Sequence, residues 1–238
     1  MKTLFILLFL FPLAGFAQQV LSTERIFPKV DKGAEFEKAL TAHVQKFHNT
    51  GKFRWRVFEI VSGPDYGGYQ ISEGPMTWED IESRGDLGPE HMADWNKSIA
   101  PLITDRTTHG YSVFQESLST IALTDYSDWI QINRWTPKPG HIGDLRGLIE
   151  NMKKAWVEEK NTVAVYVSSS SGRQGFAIVT RYKQGLKERN TGFRPPFRDT
   201  YEKVNGRDSW NEYIETIKNS LETGGSELLR FRADLSSK

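Results

Sequence analysis

The stretch RWTPKPG at residues 134–140 ends an alternating apolar segment and precedes a long amphipathic run. An earlier stretch, RIFPKVDKG at residues 25–33, has the same arrangement of arginine, proline, lysine and glycine before an amphipathic run of its own. Proline and glycine end strands, and apolar residues that recur every three to four positions predict a helix. Each stretch is therefore interpreted as a strand, a tight corner and a helix, which makes the corner structural rather than catalytic.

The segments around these corners predict two sets of elements, each in the order strand, helix, strand, strand, helix, strand. In the first set the expected elements span residues 20–27, 34–48, 53–61, 69–72, 91–103 and 111–118, with a short extra helix at 77–83. In the second set they span residues 128–135, 141–160, 162–167, 176–182, 209–221 and 228–235. This order is the ferredoxin-like split βαβ pattern of an α+β protein.

Residues of the two sets match in order along the chain, and ordered self-similarity predicts an internal duplication. The matched pairs include Gly33 with Gly140, Glu37 with Asp144, Gly68 with Gly175, Trp95 with Trp210 and Phe114 with Phe231. Their separation rises from 107 to 115 and then 117 residues, as insertions in loops would produce. We therefore predict two ferredoxin-like repeats, at residues 18–122 and 123–238, that close one barrel within a single chain.

The repeated strand, Pro/Gly corner and amphipathic helix resemble the dimeric α+β barrel superfamily, and within it the NIPSNAP and antibiotic-biosynthesis-monooxygenase type. The resemblance covers about residues 20–236. That superfamily includes cofactor-free monooxygenases, heme-degrading enzymes, heme-dependent peroxidases and members with no known activity. It thus implies a ligand site between a sheet and its helices or inside the barrel, but it leaves open which reaction, if any, the chain catalyses.

The first seventeen residues predict a secretory signal, because Lys2 is followed by an apolar run and by small residues up to Ala17. Cleavage there would give a secreted or periplasmic protein without a membrane segment. The 221 residues that follow hold 30 basic and 30 acidic side chains, a balance that disfavours binding to nucleic acid or to anionic membranes. The chain has no cysteine, which excludes disulfides, thiolate metal sites and a cysteine nucleophile.

Histidines are the natural candidates for bases and metal ligands. His43 lies on the apolar stripe of its predicted helix and is interpreted as a core residue, whereas His48 lies at that helix's end. No two histidines have a metal-binding spacing such as His-x-x-x-His, so we expect no metal site. His91 is the candidate catalytic histidine, because Asp94 and Trp95 follow one turn later. The superfamily resemblance also implies that such a helical histidine could bind heme, which stands as an alternative.

Alternation along residues 129–135 predicts that the isoleucines pack under the helices and that polar and aromatic side chains face the barrel interior. The predicted ligand-binding residues of this interior are Glu24, Trp55, Trp129, Gln131, Asn133 and Tyr166. Such a lining suits a flat aromatic or apolar ligand, and Glu59 or Glu24 could act as a general base if burial raises its pKa. This favours a monooxygenase-like enzyme. The alternative is a closed interior and a non-catalytic binding or assembly module.

Two loops at corresponding places carry opposite charges. Residues 73–90 hold six acidic side chains and one basic one, whereas residues 181–198 hold six basic side chains and one acidic one. The loops are either solvated surfaces or surfaces that attract each other between chains and form a homo-oligomer. The basic loop, which also contains Phe193 and Phe197, could instead bind an acidic ligand.

Overall fold

A computed structural model describes residues 18–84 and 87–238, and the predicted signal segment, residues 1–17, lies outside them. The first half contains β1 (Val20–Ile26), α1 (Gly33–Phe47), β2 (Trp55–Ser62), β3 (Tyr69–Met76), α2 (Trp78–Arg84), α3 (Pro89–Asp94) and β4 (Thr108–Phe114). The second half contains β5 (Trp129–Pro137), α4 (Ile142–Glu158), β6 (Val163–Ser169), β7 (Phe176–Tyr182), α5 (Phe197–Asn205), α6 (Ser209–Ser220) and β8 (Leu221–Phe231). In both halves the strands and the long first helix occur in the predicted order, and the second half has the additional helix α5.

The eight strands form one closed barrel in the order β1-β3-β2-β8-β5-β7-β6-β4, and β4 pairs back onto β1. Every pairing is antiparallel, and the β2–β8 and β4–β6 pairings join the two halves. Closure gives every strand a partner on both sides, so no hydrogen-bonding edge is left exposed. The α+β class and the closure of a barrel within one chain are thereby confirmed.

Buried side chains form three separate cores. One lies outside the barrel between the first-half strands and α1, where Phe36, Leu40 and Val44 are fully buried. A second lies between the second-half strands and the helices α4 and α5, and a third fills part of the barrel interior. Each fully buried leucine or isoleucine contributes roughly 1.5–3 kcal/mol, so these layers hold the helices on the barrel.

The secondary structure departs from the predictions at several places. Strand β3 continues to Met76 instead of ending at residue 72, and β4 spans Thr108–Phe114 instead of residues 111–118. The helix predicted over 91–103 is α3 followed by a π-helical turn at Trp95–Ile99 and a 3₁₀ turn at Ala100–Leu102, where Pro101 prevents continuation of an α-helix. Helix α5 was not predicted, because its buried positions are only Thr200 and Tyr201. Strand β8 starts directly after α6, several residues earlier than expected. Over residues 18–84 and 87–238, no helix is long and apolar enough to cross a membrane.

The predicted orientation of strand β5 is wrong. Ile130 and Ile132 lie in the core inside the barrel, together with Phe58, Tyr166 and Val179. By alternation Trp129, Gln131 and Asn133 therefore point outward, and Trp135 packs against the core under α4. Alternation separates the two faces of a strand without indicating which one lies inside a barrel. Here the apolar face fills the interior, and the polar face is partly exposed.

Candidate functional site

Two regions of the described chain contain polar side chains at buried positions, where apolar side chains would be expected from packing alone. The first is the histidine cluster, defined as His43, His48 and His91, between the first-half strands and their helices. The second is the barrel cavity, which is enclosed by strands of both halves. Buried polar groups reduce stability unless they are hydrogen-bonded, so both regions are candidates for function.

The histidine cluster is assembled by two helices. His43 lies on the buried side of α1, and His48 is the residue that caps the end of this helix, where the backbone turns toward the strands. His91 lies on α3. The Nε2 atom of His91 is 3.2 Å from Nε2 of His43 and 3.2 Å from Nε2 of His48. One atom from each ring thus meets at a common point, with all three atoms within 4.8 Å of one another.

The Nδ1 atoms of the two buried rings have partners of their own. His43 Nδ1 donates to Oδ2 of Asp94 at 2.7 Å, and His48 Nδ1 donates to the carbonyl oxygen of Phe53 at 3.2 Å. A carbonyl oxygen can only accept a hydrogen bond, so the hydrogen of the His48 ring lies on Nδ1. The Nε2 atoms of His43 and His48 therefore direct lone pairs toward His91.

Aromatic side chains fix the orientation of these rings. The Trp55 ring stacks on His48 at a centroid distance of 3.6 Å, and Trp95 contacts His43 edge-on. Burial lowers the pKa of His43, against the opposing effect of Asp94. Burial, followed by the neighbouring His43, lowers the pKa of His48 to about 3. His48 is consequently uncharged at neutral pH and keeps its lone pair.

A pair of glutamates lies on the same outer face of the first-half strands. Trp55 Nε1 donates to Oε2 of Glu73 at 2.6 Å, and Arg84 Nη2 donates to the same oxygen at 3.0 Å. Glu24 points to this face, and burial, followed by repulsion from Glu73, raises its pKa to about 7. Glu24 can therefore gain or lose a proton near neutral pH, as an acid or base in a functional site must.

The barrel cavity has a volume of about 370 Å³, within the usual range for small-molecule sites. Its walls are mainly apolar and aromatic, and include Phe58, Ile130, Ile132, Tyr166 and Val179. Arginines also line it. Two of them have acidic partners: Arg25 pairs with both Asp65 and Glu227, and Arg134 Nε lies 2.8 Å from the same Glu227 carboxylate.

Arg173, at the rim, pairs with Glu222. The remaining two arginines of the lining, Arg56 and Arg181, have no carboxylate at ion-pair distance among residues 18–84 and 87–238. Arg181 donates to Tyr166 Oη at 2.8 Å and to main-chain carbonyls near residue 123. Arg56 lies flat on the Tyr126 ring, 3.5 Å from its centroid, and its Nε is buried without a hydrogen-bond partner. Burial lowers the pKa of Arg56, and the nearby Arg181 lowers it further, against the opposing effects of Tyr126 and the Asp128 carboxylate.

The structure separates the residues that the sequence reasoning grouped together. Tyr166 alone lies in the barrel cavity, whereas Trp55 and His91 belong to the histidine cluster region. Glu24 faces outward beside Glu73. The outward-facing residues of β5 form a surface network in which Gln131 Nε2 donates to Asn133 at 3.1 Å. Glu59 also faces outward, where Arg230 Nη2 lies 2.7 Å from its carboxylate.

Sequence reasoning missed His43, His48 and Arg56. The two helical histidines are five positions apart, which is not a spacing that brings side chains together within a regular helix. They converge because His48 lies where α1 ends, and helix ends are hard to place from sequence. A third histidine 43 residues further along the chain gives no local signal at all.

Heme binding through His91 does not fit this geometry. An axial ligand needs open space in front of its coordinating nitrogen for the flat macrocycle. The Nε2 atom of His91 instead faces two other imidazoles at 3.2 Å, and the Phe47 ring lies edge-on against it. The residues suit a small ion at this point rather than a porphyrin.

The fold is similar to that of solved structures over most of their length. A candidate monooxygenase from Fusobacterium nucleatum has a TM-score of 0.56 at 14% identity, covering 91% of this chain and 94% of that one. An anthrone oxidase-like protein has a TM-score of 0.57 at 11% identity, covering 91% and 92%. Chlorite dismutase from Candidatus Nitrospira defluvii has a TM-score of 0.52 at 9% identity, covering 90% and 92%.

These similarities show that the chain shares the overall fold of these solved structures. At such low identity the similarity shows the fold alone. No protein-family model matches the chain, and no curated protein matches it by sequence.

Proposed function

We propose that this chain binds a small, mainly apolar molecule with a negatively charged group inside the barrel cavity. The observation that carries the proposal is the pair Arg56 and Arg181, two inward-facing guanidinium groups without a carboxylate partner among the described residues. The cavity walls supply the complementary apolar surface. An aromatic carboxylate is the simplest molecule that satisfies both parts of the cavity.

The energetics favour an anion over a neutral ligand. Two guanidinium groups repel each other, and each loses hydration in an apolar cavity. A carboxylate next to Arg56 would neutralise one charge and accept charge-assisted hydrogen bonds from its guanidinium group. Hydrogen bonds between charged partners are worth about 1.5–3 kcal/mol, which corresponds to roughly 10- to 150-fold in affinity.

The test is calorimetric titration with 2-naphthoate and with its uncharged analogue 2-naphthylmethanol. We expect 2-naphthoate to bind at least about tenfold more tightly than the alcohol, and Arg56→Gln to remove this difference. Arg146→Gln, which removes an exposed arginine on α4, is the matched control and should bind like the unaltered protein. Equal affinity for acid and alcohol, or an unchanged preference in Arg56→Gln, would disprove the anion site.

Monooxygenase-like turnover of the bound molecule is a separate prediction. The candidate monooxygenase and the anthrone oxidase-like protein are similar in fold and motivate it. Against it, Glu59, one of the predicted bases, points away from the cavity, and no carboxylate lines the cavity in the described part of the chain. Aerobic incubation followed by mass spectrometry of the ligand separates the two alternatives. An added oxygen atom favours the enzyme, and recovery of unchanged ligand favours a binding module.

Export remains part of the proposal, because residues 1–17 have the pattern of a secretory signal. Mass spectrometry of the protein recovered from the periplasm or the medium should give a chain that starts at Gln18. A chain that retains residues 1–17 in the cytoplasmic fraction would contradict secretion.

We further infer that the two halves arose by duplication, as the ordered sequence matches indicate, and that the closer relationship is to the NIPSNAP-like branch. Association through the oppositely charged loops has less support, because many of these charges have partners within the chain. Glu73 is bonded to Arg84, and Arg194 is bonded to Glu188. Light scattering of Arg189→Glu at low and high salt tests the association. An unchanged mass at both salt concentrations would exclude this interface.

A further inference from the structure

We propose that His43, His48 and His91 bind one divalent first-row transition metal ion of the tetrahedral, zinc-like class, through their Nε2 atoms. The site lies between the first-half strands and helices α1 and α3, outside the barrel cavity. It does not depend on the ligand proposed for that cavity. Three imidazole nitrogens form a donor set typical of zinc in enzymes, where a water or a substrate supplies the fourth ligand.

The distances between the nitrogens support direct coordination. A tetrahedral ion with metal–nitrogen bonds of about 2.0–2.1 Å holds its ligand atoms roughly 3.3 Å apart. The Nε2 atom of His91 is 3.2 Å from the corresponding atom of each of the other two histidines. Two of the three distances between the donor atoms, those from His91 to His43 and to His48, are therefore already close to the distance that such an ion requires.

The hydrogen-bonding pattern provides an independent argument. His43 and His48 use their Nδ1 hydrogens on Asp94 and Phe53, so each presents a lone pair at Nε2. The Nε2 atom of His91 has at most one hydrogen in a neutral ring and can donate it in only one direction. At least one of the two 3.2 Å contacts is therefore not a direct hydrogen bond and leaves a lone pair of His43 or His48 facing the His91 nitrogen. A cation at the common point turns all three lone pairs into favourable contacts.

Groups behind the histidines also match a metal site. Histidine ligands characteristically donate their second ring nitrogen to a carboxylate or a main-chain carbonyl, which fixes the tautomer and the ring orientation. The Asp94 carboxylate and the Phe53 carbonyl play these roles here. The contacts with Trp55 and Trp95 further restrict rotation of the rings. His43 and His48 are buried and His91 is only partly so, which places the route of entry on the His91 side.

The experiment is a titration of the full chain, first treated with a chelator, with Zn²⁺ by calorimetry and with Co²⁺ by visible absorption. We expect one ion per chain and a Co²⁺ spectrum with the strong ligand-field bands of a tetrahedral site. His91→Ala should lower the affinity at least about 100-fold, because one of three protein ligands is lost. Asp94→Asn should lower it roughly 10- to 100-fold while the stoichiometry stays at one.

The matched control is His141→Ala. His141 also donates to an aspartate at 2.7 Å, but it is exposed and has no second histidine beside it. This variant should bind both ions like the unaltered protein. The proposal is overturned if no ion binds stoichiometrically, if His91→Ala binds as tightly as the unaltered chain, or if His141→Ala loses as much affinity as His91→Ala. Circular dichroism verifies folding of each variant, and His91→Gln replaces His91→Ala if the latter does not fold.

Discussion

The two layers between strands and helices are similar in plan and different in content. Under α4 the buried side chains are apolar or aromatic, among them Leu145, Ile149, Met152, Trp156 and Tyr201. Under α1 the layer begins in the same way, with Phe36 and Leu40, and then ends in the histidine cluster. The second layer shows that apolar packing is sufficient to hold helices on this barrel. The fold therefore does not require the three histidines, which suggests that they are retained for function.

The largest expected effect comes from disrupting the apolar layer. Trp156 is buried in the core under α4, so Trp156→Ala should cost about 3–5 kcal/mol of unfolding free energy through lost contacts and an unfilled cavity. Urea denaturation measures this, with Val157→Ala as the neighbouring exposed control, expected to change stability by less than about 0.5 kcal/mol.

Trp156→Ala also tests whether the two layers are functionally separate. Zn²⁺ at 100 times its dissociation constant should add about 2.7 kcal/mol to stability in both Trp156→Ala and the unaltered chain. If Zn²⁺ did not stabilise Trp156→Ala, metal binding by the histidine cluster would depend on the layer under α4. The two layers would then not be functionally separate.

Much of the fold could be predicted because its signals are local. The corners at residues 25–33 and 134–140 and the apolar stripes of α1 and α4 identified strands and helices close to their observed positions. Which face of β5 points inward was not predictable, because alternation separates the two faces of a strand without indicating which one lies inside the barrel. Helix α5 was missed because it contributes so few buried side chains that its sequence resembles a charged loop.

The candidate site was less predictable than the fold because its parts come together only in three dimensions. His91 was selected for its neighbours Asp94 and Trp95, and both contact the cluster at His43. His43 was interpreted as a core residue, and it is indeed buried. Its partner His91 follows 48 positions later in the chain. The packing of α3 on α1 brings the two histidines together, and no local sequence pattern encodes that packing.

A medium effect is expected for the buried acid near the cluster. The pKa of Glu24 is raised from 4.5 to about 7, so the folded chain binds this proton more tightly than the unfolded chain does. The stabilising effect is complete below about pH 4.5 and is lost as the pH rises through 7. Glu24→Gln should remove this loss and stabilise the protein at pH 8 by about 1–2 kcal/mol, after allowance for solvent screening.

Unfolding in urea at pH 5 and pH 8 measures the effect of Glu24→Gln. The groups that face Glu24 are Glu73, Arg84 and the cross-strand His109, so Glu73→Gln serves as the comparison for a second acid on the same face. An equal destabilisation of Glu24→Gln at both pH values would show that Glu24 has a structural hydrogen-bonding role instead.

The smallest effect is expected at the other strand glutamate, Glu59, which the sequence suggested as a base. Its carboxylate is partly exposed and lies within ion-pair distance of Arg230 and Arg232. Such pairs contribute about 0–1 kcal/mol, because solvent screens the charges and the long side chains lose conformational freedom. Glu59→Gln should therefore change stability by less than about 1 kcal/mol and leave both Zn²⁺ and 2-naphthoate binding unaltered. If Glu59→Gln bound Zn²⁺ or 2-naphthoate tenfold more weakly, Glu59 would be connected to a functional site. The difference between Glu24 and Glu59 would then not be one of function.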